Sequence, residues 1–143
     1  MQFKVERQPL AEAVAWAART LPSRPVIPVL AGMLVEATEE GTLSFAAFDY
    51  EVSAYAEITA AEGVSVSEPG RVLVSGRLLS DIVRSLPPNP VDFVLKGSEL
   101  VVSCGSAEFG LLPLPVEDYP TLPEPPAHAG TVPGELFVAA VAQ

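Results

Sequence analysis

Arg19-Thr20-Leu21-Pro22-Ser23-Arg24-Pro25-Val26 and, 65 residues further on, Arg84-Ser85-Leu86-Pro87-Pro88-Asn89-Pro90-Val91 agree at five of eight positions. Each octet ends a helical pattern. Before the first, Leu10, Val14, Ala17, Ala18 and Leu21 recur at helical spacing, Pro9 suits a first turn, and Pro22 stops the run. Before the second, Ser75 is a plausible N-cap and Pro87-Pro88 the stop. Leu78, Leu79, Ile82, Val83 and Leu86 mark one face of that helix; Arg77, Ser80, Asp81 and Arg84 mark the other.

Outward from the two octets the pattern repeats. Phe3 to Glu6 alternates apolar and polar as a short strand would, and Arg71 to Val74 is its counterpart before the second helix. After the first helix, strands are expected at Val29 to Val35, Leu43 to Phe48 and Val52 to Ile58, with a turn at Glu39-Glu40-Gly41. After the second they are expected at 91–96, 99–104 and 107–112, with Gly97-Ser98 as a turn. Residues 62–70 have the composition of an exposed loop. The chain is thus an α+β protein built from a duplicated strand–helix–three-strand unit, with two helices packed on antiparallel sheets.

From Pro113 to Pro133 lie seven of the 15 prolines, the mark of an extended linker. Beyond it Val132 to Ala142 resembles Val5 to Ala15, with Val132, Ala140, Val141 and Ala142 identical to their counterparts. A first domain over residues 1–126, its linker starting near 113, and the opening of a second over 127–143 follow as expectations. Residue 143 falls partway through a helix, so the chain is expected to be a fragment or a truncated paralogue.

Charge is distributed unevenly. Residues 7–24 carry Arg7, Arg19 and Arg24 against Glu12, and residues 71–86 carry Arg71, Arg77 and Arg84 against Asp81, each a local +2. The chain as a whole is −10, so the remainder is −14. Net charge alone would repel nucleic acid; two cationic helices on one face would not. The spacing Arg77–Asp81–Arg84 also suits a surface ion-pair row worth about a few tenths of a kcal/mol. The cationic excess on the other helix, ending in Arg24 on a Pro-bounded loop, tips the balance toward a binding face.

Little supports catalysis. His128 lies in the Pro-rich linker, Cys104 is a small hydrophobe at a strand end, and Asp49 and Glu51 suit turn capping. No catalytic set, phosphate-binding glycine loop, metal-ligand cluster or cofactor motif is expected. Trp16 and Tyr50 could stack on bases, but their apolar contexts favour the core. A single cysteine fits a reducing cytosol. The start has no export signal, and no run nears the roughly 18 apolar residues of a membrane span. A cytoplasmic protein without a membrane partner is the expectation.

Four segments in register, Arg24-Pro-Val-Ile-Pro-Val-Leu30, Phe48-Asp-Tyr-Glu-Val-Ser-Ala54, Val74-Ser-Gly-Arg-Leu-Leu-Ser-Asp-Ile82 and Leu114-Pro-Val-Glu-Asp-Tyr-Pro120, resemble the bacterial β sliding clamps of actinobacterial type. The resemblance implies the DNA-clamp fold and a non-catalytic processivity subunit of DNA polymerase III. Family subunits hold three duplicated domains and close head to tail as two-subunit rings around double-stranded DNA. They are placed there by a clamp loader, and hold the polymerase by a groove in the later domains. It implies that Arg24 and Arg77, with Arg84, contact phosphates without sequence preference. It also implies that Leu78, Glu108 and Phe109 belong to a subunit interface. Relatives usually carry a basic residue before that phenylalanine; Glu108 reverses the charge. Without a third domain this chain is expected not to close the usual ring. The competing expectation is a clamp-derived interaction module whose sheet edge pairs with a partner chain and which does not encircle DNA.

Overall fold

Phe3 stacks on Phe93 across a strand pair, ring centroids 4.7 Å apart and planes 13° from parallel, and that contact ties the first repeat to the second. The computed structural model describes residues 1–143. The first unit comprises β1 (Gln2–Val5), α1 (Arg7–Ala18), β2 (Gly32–Ala37), β3 (Leu43–Phe48) and β4 (Ser53–Ile58). After β5 (Val64–Glu68), the second comprises β6 (Gly70–Ser75), α2 (Gly76–Ser85), β7 (Val91–Lys96), β8 (Glu99–Cys104) and β9 (Ala107–Leu111). A last helix, α3, spans Gly134–Ala142.

The units exchange their first strands. β1 pairs antiparallel with β7, while β6 pairs antiparallel with β2. The sheets therefore run β5-β1-β7-β8-β9 and β4-β3-β2-β6. Each exchanged strand extends the sheet of the other unit, so backbone ladders join the two copies. The offset of 65 holds only at the helix exits: β7 starts 59 residues after β2 (91 − 32) and β9 starts 54 after β4 (107 − 53), because the second unit has shorter turns.

One core of 24 buried residues fills the space between sheets and helices. α1 contributes Leu10, Ala13, Val14 and Ala17, an i, i+3, i+4, i+7 stripe lying over β3 and β4. α2 contributes Leu79 and Val83, packs on β6, β2 and β9, and lies directly against α1. Ser75 caps α2 as expected, its Oγ accepting from the Leu78 amide at 3.3 Å. No helix is long and apolar enough to cross a membrane.

Several expectations need correction. Pro28–Ala31 forms a 3-10 turn before β2, so the strand starts three residues later than Val29. The expected loop 62–70 contains β5, whose Val64 and Val66 pair with Val5 and Phe3. Leu78 is exposed, because only Leu79, Val83 and Leu86 of the proposed apolar face are fully buried. Trp16 and Tyr50 are also more than half exposed. The helical stripe turns Trp16 outward, and Tyr50 occupies a left-handed turn at φ 75° between β3 and β4.

The linker has two parts. Residues 113–122 lie against the outer face of the second sheet, where the Leu114 amide donates to the Leu73 carbonyl at 2.7 Å. Leu73 and Phe48, which alternate with the core-facing residues of their strands, are buried on this side. Residues 123–133 carry no helix or strand, and α3 is exposed along its whole length.

Candidate nucleic-acid interface

Where α1 ends, the chain turns through residues 19–27 and comes to rest beside the start of α2. The two segments enclose an open cleft of about 460 Å³. Leu21, Ser23 and Pro25 line it from the α1 exit, and Arg77, Asp81 and Arg84 from α2. Positions 77, 81 and 84 follow one another at i, i+4 and i+7, so the three side chains share a helix face. The cleft lies on the helix side of the domain, across the core from the strap of residues 113–122.

Arg24 stands exposed on the exit loop between Ser23 and Pro25, both of which line the cleft. Arg84 pairs with Asp81 through Nη2 and Oδ1. The other ion pairs are Met1–Glu68 and Lys4–Asp92, so Arg24 and Arg77 are in none. Arg24 itself is not among the residues that line the cleft; Arg77 and Arg84 against Asp81 leave its lining at +1, on a chain of −10. A groove with that sign, open to water, suits an extended anion held through phosphate oxygens.

The remaining cations of the two stretches do not join this surface. Arg71 alternates with the core residue Val72 along β6 and faces the strap, beside Val116 and Leu114. Arg7 sits half-buried in the first turn of α1, its Nε enclosed without a partner. Arg19 lies over the Trp16 ring, 5.7 Å from its centroid, which gives that exposed indole an occupant within the chain. The cationic face is therefore smaller than the six residues suggested and centred on α2.

The remaining candidates are dispersed. Cys104 is buried, its Sγ 3.3 Å from both the Pro87 and the Asn89 carbonyl oxygens, which share its one S–H donor. His128 is exposed near Thr131. Asp49 caps its turn as expected, Oδ1 accepting from the Glu51 and Val52 amides. Glu62 closes a capping box with Thr59, and those hydrogen bonds hold its carboxyl below the usual range. Tyr55 is pushed up, first by burial and then by its hydrogen bond to Glu57.

Of the expected interface residues, Glu108 and Phe109 lie on β9, the open edge of its sheet. Glu108 is exposed opposite Ser103, whereas Phe109 pairs with buried Val102 and packs against the core from the other face. The two side chains therefore do not form one patch. Leu78 projects to solvent from α2, which packs on β9.

Residues 1–123 match the family model described as DNA polymerase III beta subunit, N-terminal domain. The chain is 57% identical over its whole length to the beta sliding clamp of Streptomyces coelicolor, of which it spans 37%. It is 55% identical to that of Micrococcus luteus, of which it spans 44%. The chain thus covers less than half the length of these relatives. Its structure superposes on the DNA polymerase sliding clamp of Bacillus subtilis with a TM-score of 0.82 at 30% identity, over 87% of this chain and 34% of that one. On the DNA polymerase III subunit beta of Pseudomonas aeruginosa the TM-score is 0.79 at 31% identity, over 90% and 34%. Strand exchange, helix pair and sequence agree: the chain belongs to the DNA polymerase III beta subunit family, the bacterial sliding clamps, and corresponds to their N-terminal domain.

Proposed function

We propose that this chain acts as the first domain of a replication processivity clamp and presents a sequence-independent cationic surface to duplex DNA. The observation that carries the reading is the meeting of Arg77 and Arg84 with the exit loop bearing Arg24 in one solvent-open groove. Contacts of this kind fix no base sequence, which suits a protein that must move along DNA. The domain would be non-catalytic and cytoplasmic. DNA polymerase III, a clamp loader and a ring-closing second subunit would engage the whole protein. Residues 1–126 would be the first clamp domain and 127–143 the start of the next.

Retention in such a system comes from enclosure, so the isolated chain should bind duplex weakly. Neutralising up to three phosphates gives a slope of log K against log salt of at most about −2.7. Arg24→Ala with Arg77→Ala should flatten the slope by up to about 1.8, two phosphates, measured by fluorescence anisotropy with a labelled duplex. An unchanged slope would overturn the reading. It would favour instead an interaction module that uses the open edge at β9.

A further inference from the structure

We infer that Asp81 is a built-in competitor for phosphate, which holds Arg84 until a DNA oxygen displaces it and so keeps the contact exchangeable. The inference rests on the DNA-facing reading of the cleft and adds a positioning residue to it. Asp81 lies between Arg77 and Arg84 on one face of α2 and binds Arg84 through Oδ1. Seven residues of helix separate the two arginines by roughly 10 Å along the axis, with Asp81 in that interval. A phosphate backbone that meets both arginines must therefore pass over the carboxylate.

The pair is open to water, with the Arg84 side chain 73% and the Asp81 side chain 54% exposed. Exposed pairs of this kind are weak, so an incoming oxyanion can replace the carboxylate at little net cost. Arg77, in no ion pair, is ready to bind; Arg84 has to be exchanged. One free and one exchangeable cation on the same helix face resist any single seated register on the backbone. That is the property a sliding surface needs, and a row of free arginines would lack it.

The test uses the full chain as wild type, Asp81→Asn, Arg84→Gln and the double variant, with a fluorescein-labelled 20-base-pair duplex across a salt series. Asp81→Asn is expected to tighten binding several-fold at the lowest salt. It should also steepen the slope of log K against log salt by up to about 0.9, toward the three-phosphate ceiling, as Arg84 passes from a shared to a full phosphate contact. In the Arg84→Gln background the same change should give no steepening. An unchanged slope in Asp81→Asn, or an equal gain without Arg84, overturns the inference, the latter by showing general repulsion. A purely structural role for Asp81 would alter unfolding midpoints and leave the slope alone.

The same proteins titrated with inorganic tripolyphosphate and followed at the Arg84 Nε–Hε resonance separate this inference from the DNA reading. A shift at lower tripolyphosphate concentration in Asp81→Asn than in wild type supports the competitor role even if no variant binds duplex, which would sink the DNA reading alone. Equal shifts in both proteins sink the competitor role even if duplex binds through Arg77.

Discussion

Leu21 closes over Gly76: a Cβ placed on Gly76 would lie 2.6 Å from Leu21 Cδ1 and 2.7 Å from Cδ2. The contact seats the exit of α1 on the first residue of α2 and so fixes the loop carrying Arg24 beside Arg77. It is a contact with the free end of a half-buried side chain, which can rotate away. Gly32 faces a similar distance, 2.6 Å to Leu73 Cδ1, but Leu73 is fully buried and the Val29 carbonyl lies 3.0 Å off. Gly32→Ala should therefore cost about 1–3 kcal/mol as overpacking, and Gly76→Ala less than about 1 kcal/mol. Urea midpoints would decide it; equal losses would refute the distinction.

The duplication was legible because proline pins both helix exits, and the cationic face because Arg77 and Arg84 share a helical phase. What the sequence concealed was tertiary. Val64-Ser65-Val66-Ser67 has the alternation of a strand, but the flanking Glu, Gly and Pro gave the segment a loop's composition; pairing with β1 decides it. Trp16 falls about 100° around the helix from Ala17, outside the Leu10–Ala13–Val14–Ala17 stripe. Its alanine neighbours disguised an outward position that the phase already implied. The strap over Leu73 and the cleft between residues 21–25 and α2 depend on chain paths that no local pattern encodes.

Ser75 should matter twice. Its hydroxyl satisfies the Leu78 amide, whereas α1 starts at Glu6 without a side-chain cap. Ser75→Ala should lower stability by about 1 kcal/mol. Ser75→Asp keeps the cap and the favourable anion at a helix N-terminus, so its midpoint should stay near wild type. It also places a carboxylate at the mouth of the cleft, two residues from Arg77, and should weaken duplex binding at low salt. If Ser75→Asp binds duplex as well as wild type, Ser75 is not on the anion path.

Glu108 and Phe109 are adjacent in sequence but face opposite ways, so their variants should separate. Glu108→Lys changes an exposed side chain and should move stability by no more than about 0.5 kcal/mol. Phe109→Ala removes a ring half-buried against the core and should cost about 1–2 kcal/mol, less than the loss at a fully buried phenylalanine. Thermal melts of both variants check this. Comparable losses would mean that β9 does not have the register described.

Tyr119 gives the strap a pH signature. Its hydroxyl is enclosed without a well-formed hydrogen bond, and burial pushes its pKa from 10.0 up to about 12, with the Phe48 amide pulling the other way. Because the folded state holds this proton more tightly than the unfolded chain, the stabilisation is complete below pH 10 and declines as pH rises toward 12. The group is only partly buried, so solvent screening reduces the loss to about 1–2 kcal/mol across that window. Tyr55 shifts in the same direction and contributes its own share. Tyr119→Phe removes an enclosed hydroxyl that lacks a well-formed hydrogen bond, so stability at pH 8 should hold or rise slightly. Between pH 10 and 12 the variant should lose less than wild type in urea unfolding. An alkaline loss identical to wild type would show that the phenol is already in water, and that the strap does not hold Tyr119 against β3.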